Sequence, residues 1–98
     1  MEKSSAHYKL SVVRALVTEG RLRFTTSASR SYRAMGLSRR EVIDILARLE
    51  RSDLYKSMTT HADHRVWQDV YHPVTPYGSL YLKLSVIEQL VIVSFKVL

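Results

Sequence analysis

The hydrophobic pattern of the chain changes its period near residue 53. Before that point apolar residues recur at helical spacing, about every 3.6 residues, and after it they alternate with polar ones among β-branched and aromatic residues. Helices followed by a run of strands are typical of an α+β fold whose helices pack on one face of a sheet. Because 98 residues suffice for one core, we predict a single domain over residues 1–98.

Three helices are predicted in the first half. The first spans about residues 6–19, with Ser4 or Ser5 as its candidate cap, and the second runs from Thr26 to Gly36. The third spans residues 39–51 and has the clearest start signal, because Ser38 and Glu41 have the spacing of a capping box.

Four strands are predicted in the second half, at residues 53–60, 65–72, 79–86 and 90–96. Their short connections favour antiparallel neighbours and a twisted meander. Residues 21–25 also alternate, which predicts a short additional strand at an edge of the sheet.

Composition excludes several classes of site. The chain has no cysteine, so thiolate zinc sites, thiol nucleophiles and disulfides are ruled out. The polar N-terminal segment and the lack of a long apolar run predict a soluble, cytoplasmic protein without a membrane partner.

The excess of positive charge is confined to the first half. The net charge is +6, and six arginines lie in a stretch of twenty residues, 21–40, that contains no acid: Arg21, Arg23, Arg30, Arg33, Arg39 and Arg40. Such a block is typical of a surface that faces phosphates, although a solvated face or a contact for an acidic protein would give the same pattern.

Alternation along the strands predicts one polar face on the sheet. In the third predicted strand Leu80, Leu82 and Leu84 point one way, while Tyr81 and Lys83 point the other. The second strand does not settle which of its sides is polar. If the helices cover the side of Leu82 and Val93, the opposite side collects five residues: Lys56, Met58, Gln68, Tyr81 and Lys96.

Two amines, an amide and a phenol on one shallow face can all donate hydrogen bonds to phosphate oxygens. Cleavage of RNA without a metal requires removal of a proton from the 2′-hydroxyl, stabilisation of charge at phosphorus and protonation of the departing 5′ oxygen. Tyrosine and lysine have reference pKa values near 10, so they need nearby cations or burial to serve at neutral pH. These residues therefore indicate a slow nuclease.

Four segments, YKSMTT, WQDVY, YLK and VIVSFK, resemble at the same spacing the motility quorum-sensing regulator toxin family, MqsR, within the RelE-like group of messenger-RNA interferases. The resemblance covers essentially the whole chain and is strongest over residues 52–96. It implies a RelE-like antiparallel sheet and a toxin that needs neither ribosome nor cofactor to cut single-stranded messenger RNA at GCU-like sites. By the same resemblance Lys56, Gln68 and Tyr81 are the catalytic positions, and Met58 and Lys96 support substrate binding.

The resemblance also implies a partner. An MqsA-like antitoxin would hold the toxin inactive with its zinc-binding half, while its helix-turn-helix half binds the operon's promoter, so the toxin would meet DNA only indirectly. The arginine-rich helices depart from the family pattern, so the resemblance does not establish the partner specificity of this chain.

Other interpretations of the same residues remain. A winged-helix regulator would place the third helix in the major groove of DNA, with Arg39, Arg40, Arg48 and Arg51. A pure interaction module would bind an acidic protein without catalysis. The turn with His61, Asp63 and His64 offers too few ligands at fixed positions to predict a metal site.

Overall fold

The three helices precede the long strands along the chain, as the pattern predicts, and two short strands lie before and between the helices. The computed structural model describes residues 1–98 and contains three α-helices, one 3₁₀-helix (Arg51–Asp53) and seven strands. The helices are α1 (Leu10–Thr18), α2 (Thr26–Ala34) and α3 (Arg39–Ala47). The strands are β1 (Glu2–Lys3), β2 (Leu22–Phe24), β3 (Leu54–Thr59), β4 (Trp67–Tyr71), β5 (Val74–Thr75), β6 (Gly78–Ile87) and β7 (Gln89–Val97).

One mixed, open sheet has the strand order β1-β3-β4-β6-β7-β2, and β5 pairs only with β6. The predicted meander is confirmed, because β3, β4, β6 and β7 pair in succession and antiparallel. The predicted edge strand, β2, is also confirmed, and it runs parallel to β7. The continuous sheet differs from a winged helix, in which little more than a hairpin follows the third helix.

The helices all pack against one face of the sheet. A cluster of 19 buried residues joins apolar residues of α1, α2 and α3 to Leu80, Leu82 and Leu84 of β6 and to Phe95 of β7. The residues that alternate with these apolar ones along the strands project from the opposite side of the sheet, which we call the open face. None of the helices is long and apolar enough to cross a membrane.

Two bulges decide which side chains reach the open face. On β3 the register shifts between Leu54, which pairs with Tyr71, and Lys56, which pairs with Val70. Leu54 therefore faces the helices although alternation alone puts it beside Lys56 and Met58.

On β7 the second bulge leaves Val93 as an extra residue between Ser94, opposite Lys83, and Ile92, opposite Leu84. Simple alternation would place Val91 and Val93 in the core with Phe95, and this is wrong for β7. Leu90 and Ile92 join Phe95 in the core instead, whereas Ser94 and Lys96 belong to the open face.

Helices α3 and α1 differ in how their N-termini are capped. The capping box of α3 is confirmed, with Ser38 Oγ accepting from the Glu41 N–H at 3.1 Å and Glu41 Oε1 accepting from the Ser38 N–H at 2.8 Å. The predicted serine cap of α1 is wrong, because α1 begins after Lys9, whose side chain makes no capping hydrogen bond. Asp69 of β4 accepts instead from the N–H groups of His7 and Tyr8, just before the helix.

Candidate active site

Six side chains share the open face, and we call them the polar strip: Lys56, Met58, Gln68, Tyr81, Lys83 and Lys96. Strand pairing puts them there, since residues directly opposite each other in a sheet project from the same face. Met58 lies opposite Gln68, and Tyr81 lies opposite Lys96. Lys56 and Lys83 both pair with Val70, one on each side of β4. All five residues predicted from the sequence are therefore on one face.

The polar strip is elongated. Gln68 lies two residues from Val70 along β4, and Tyr81 lies two residues in the opposite direction from Lys83 on the neighbouring strand. At about 3.3 Å per residue, the backbone positions of Gln68 and Tyr81 are about 13 Å apart along the strands. The sheet thus brings these residues onto one surface but not into one cluster. The lysines at positions 56 and 83 lie between the two ends.

Lys56 has an acidic partner that sequence reasoning missed. Its Nζ lies 2.7 Å from Glu2 Oε1, because β1 pairs with β3 and sets Glu2 opposite Met58. The hydrogen bond to Glu2 raises the pKa of Lys56, and the hydroxyls of Tyr55 and Tyr81 contribute less to the same shift. Lys56 in turn lowers the pKa of Glu2. Lys56 is therefore firmly cationic, and an RNA phosphate must compete with Glu2 for it.

Lys83 was not among the predicted site residues, although its alternation with Tyr81 already placed it on the polar side. Its side chain is half-buried, and burial lowers its pKa, helped by the charge of Lys96. No carboxylate pairs with Lys83 or Lys96. These two amines therefore form a positive region of the polar strip that is free to receive an anion.

Aromatic rings surround Tyr81 at its end of the strip. His72 lies 5.8 Å from Tyr81 between ring centroids and stacks on Tyr55 at 4.3 Å and 15°. Lys96 Nζ lies 5.0 Å from the centre of the Tyr81 ring. Tyr55 is 55% exposed, and His72 Nε2 is buried without a hydrogen-bond partner. The sequence contained a signal for His72, which continues the alternation of Gln68 and Val70.

Beneath the strip, a buried pair fixes the register of β3 and β4. Ser57 lies between Lys56 and Met58 but points to the opposite side, where its hydroxyl donates to Asp69 Oδ1 at 2.5 Å. Both side chains are fully buried. A slip by one residue would turn the buried side chains outward and the strip inward, so this pair holds the strip on the open face.

The histidine-containing turn before β4 is organised by other contacts. Asp63 binds the side chain of Arg65 at 3.1 Å and accepts from its backbone N–H at 2.9 Å. No group of three or more histidine, cysteine, aspartate or glutamate side chains lies close enough together to hold a metal ion.

Comparison with known proteins adds two findings. The model of a family described as "Motility quorum-sensing regulator, toxin of MqsA" matches residues 5–97. The mRNA interferase toxin MqsR of Escherichia coli (strain K12) is 46% identical to this chain over 96 residues, which is 98% of the length of each protein.

Proposed function

The chain belongs to the MqsR family of mRNA interferase toxins, and from this premise we propose that it cuts single-stranded messenger RNA at GCU-like sites without a ribosome or a metal. Endoribonuclease activity and a toxin role follow from the family and from the relative's activity. The unpaired amines Lys83 and Lys96 beside Tyr81 on the uncovered face of the sheet carry the proposal for this chain's own residues.

Tyr81 and Lys96 form the reacting end of the polar strip, and Gln68 and Met58 form its positioning end. Tyr81 transfers protons, while Lys56 and Lys96 neutralise the phosphate, with Lys83 as a third amine between them. Gln68 orients a phosphate or a base edge, and Met58 offers a polarizable surface on which a base rests. The length of the strip matches an extended single strand, which crosses it from Gln68 toward Tyr81.

The proposed reaction is an internal transfer. The ribose 2′ oxygen attacks phosphorus while a basic group on the face takes its proton, and the negative charge that builds on the phosphate oxygens is met by the lysines. The bond from phosphorus to the 5′ oxygen then breaks, and the departing oxygen receives a proton. The products are a 2′,3′-cyclic phosphate and a free 5′-hydroxyl, so no water is consumed.

The family also supports a partner. We infer that residues 1–98 act as one toxin domain that an MqsA-like antitoxin neutralises, and that contact with DNA occurs only through this antitoxin. Since the substrate is messenger RNA, the place of action is the cytoplasm.

Two conservative variants test the role of Tyr81. Tyr81→Phe keeps the ring but removes the hydroxyl, so cleavage of a labelled RNA oligonucleotide should slow by about 10²-fold or more, the usual worth of general acid–base help. Tyr77→Phe is the matched control, because the Tyr77 hydroxyl binds Glu41 of α3 at 2.6 Å, away from the open face. If Tyr81→Phe cleaved the RNA as fast as the control, the Tyr81 hydroxyl would have no role in the reaction. A substrate with a 2′-deoxyribose at the cut site should resist the wild-type protein.

A further inference from the structure

Five exposed arginines within residues 21–40 have no acidic partner. They are Arg23 of β2, Arg30 and Arg33 of α2, and Arg39 and Arg40 of α3, and we call them the arginine face. The three ion pairs of the molecule involve other cations, and none of these five guanidinium groups donates a hydrogen bond within the chain. Their donors are therefore all available to an external anion.

Ring contacts link Arg33 of α2 and Arg39 of α3. Phe24 of β2 lies 5.3 Å from Tyr32 of α2 between ring centroids. The Arg39 guanidinium lies 5.8 Å from the Phe24 ring, and the Arg33 guanidinium lies 6.0 Å from the Tyr32 ring. Arg30 is one helical turn before Arg33 on α2.

The placement of Arg39 and Arg40 does not serve the stability of α3. Arg39 and Arg40 occupy the first turn of α3, where the helix dipole favours anions and disfavours cations. Helix α2 has no acidic residue that could offset Arg30 and Arg33. The one acid in the first turn of α3, Glu41, accepts from the Ser38 N–H and the Tyr77 hydroxyl and pairs with no arginine, so Arg39 and Arg40 stay available to an anion from outside.

The arginine face continues the open face around the edge of the sheet. Arg23 pairs with Val91 of β7, whose side chain lies on the same side as Ser94 and Lys96. Two strand spacings, about 10 Å, separate β2 from β6, which carries Lys83. Along the strands Arg23 lies level with Ser85, which is two residues from Lys83 in the direction away from Tyr81. An extended strand of RNA that approaches the Gln68 end of the polar strip from the β2 edge therefore passes the arginines of α2 and α3 and then Arg23.

We propose that the arginine face binds the phosphates of substrate RNA that flank the cut site. The forked guanidinium matches phosphate geometry and does not read base sequence, so the arginine face would lengthen the bound segment without altering the sequence that is cut. RNA fits better than an acidic protein, because Arg23 brings positive charge onto the face on which the RNA is proposed to be cut. This inference rests on the nuclease function proposed above.

The test compares a short and a long RNA that share one cleavable sequence, one confined to the polar strip and one extended on both sides. The variant changes Arg30, Arg33, Arg39 and Arg40 to glutamine, and kcat/KM is measured over a series of salt concentrations. The wild type should prefer the long RNA, and the variant should lose this preference while cutting the short RNA normally. With four phosphate contacts at about 0.7 each, the salt slope for the long RNA should become shallower by about 3.

The control variant changes Arg48 and Arg51 to glutamine, because both are exposed arginines near the other end of α3. Should the fourfold variant fail to fold, Arg30→Gln with Arg33→Gln tests α2 alone, with half the change in slope. An unchanged preference and slope would overturn the proposal, even if the variant lost binding to an antitoxin, which would then be the occupant of this face. If the wild type cut neither RNA, the proposed function itself would fail.

Discussion

Asp69 offers the sharpest test of what holds the site in place. Its fully buried carboxyl group accepts from the Ser57 hydroxyl, from the His7 N–H at 3.0 Å and from the Tyr8 N–H at 2.9 Å. These contacts tie the segment before α1 to β4 and join β4 to β3 beneath the polar strip. We expect Asp69→Ala to be among the most destabilising single substitutions in the chain.

The magnitude follows from the three donors that alanine leaves without a partner. Each unsatisfied donor at a shielded position costs about 1 to 3 kcal/mol, and the two backbone donors are only partly buried, so the sum is about 3 to 6 kcal/mol. A domain of this length has a total stability of about 5 to 15 kcal/mol. The melting temperature should fall by about 12 °C or more.

Urea unfolding followed by circular dichroism measures the difference directly. Asp44→Ala is the matched control, since Asp44 is exposed on α3, and it should change stability by less than about 0.5 kcal/mol. Ser57→Ala should cost about 1 kcal/mol, and the double variant should cost less than the sum of the two single variants. An unfolding free energy for Asp69→Ala within about 1 kcal/mol of the wild type would refute this reasoning.

Two further predictions concern the lysines of the polar strip. Lys83 has a lowered pKa in the folded protein, so between that pKa and the ordinary value of 10.5 the unfolded chain binds more protons. The unfolding free energy of the wild type should therefore rise relative to that of Lys83→Met as the pH approaches 10.5. The variant should also cut RNA more slowly. A difference in unfolding free energy that does not change with pH would contradict this prediction. Glu2→Gln frees Lys56 from its carboxylate, so the KM for RNA should fall by about twofold to fivefold, the range typical of exposed ion pairs, and a higher KM would show that Glu2 helps to bind substrate.

The elements of this fold could be predicted from sequence because their signals are local. The capping box at Ser38 and the alternation from Tyr81 to Lys83 each depend on residues a few positions apart. The bulge at Val93 could not be predicted, because Val91, Ile92 and Val93 are all apolar and alternation cannot show which of them is the extra residue. The parallel pairing of β2 with β7 also could not be predicted from a local sequence pattern.

The candidate site, like the fold, could be predicted from sequence only where its signals are local. Period two allowed Lys56, Gln68 and Tyr81 to share one face but did not settle which side of β4 is polar. The ion pair of Lys56 joins residues 54 positions apart, and no local pattern reveals it. The anchoring of the segment before α1 by Asp69 spans 61 and 62 positions. A nearby serine therefore looked like the better cap, although a distant carboxyl group holds this segment.

The order in which the strands are synthesised has a consequence for the living cell. Strand β2 finds its neighbour only in β7, the last strand to be made, and that same strand carries Lys96. A chain still being translated can form the helices and the β3–β4 hairpin, but the sheet stays incomplete until residues 89–97 have left the ribosome. The growing toxin therefore cannot complete its active surface before β7 is free to pair with β6 and β2.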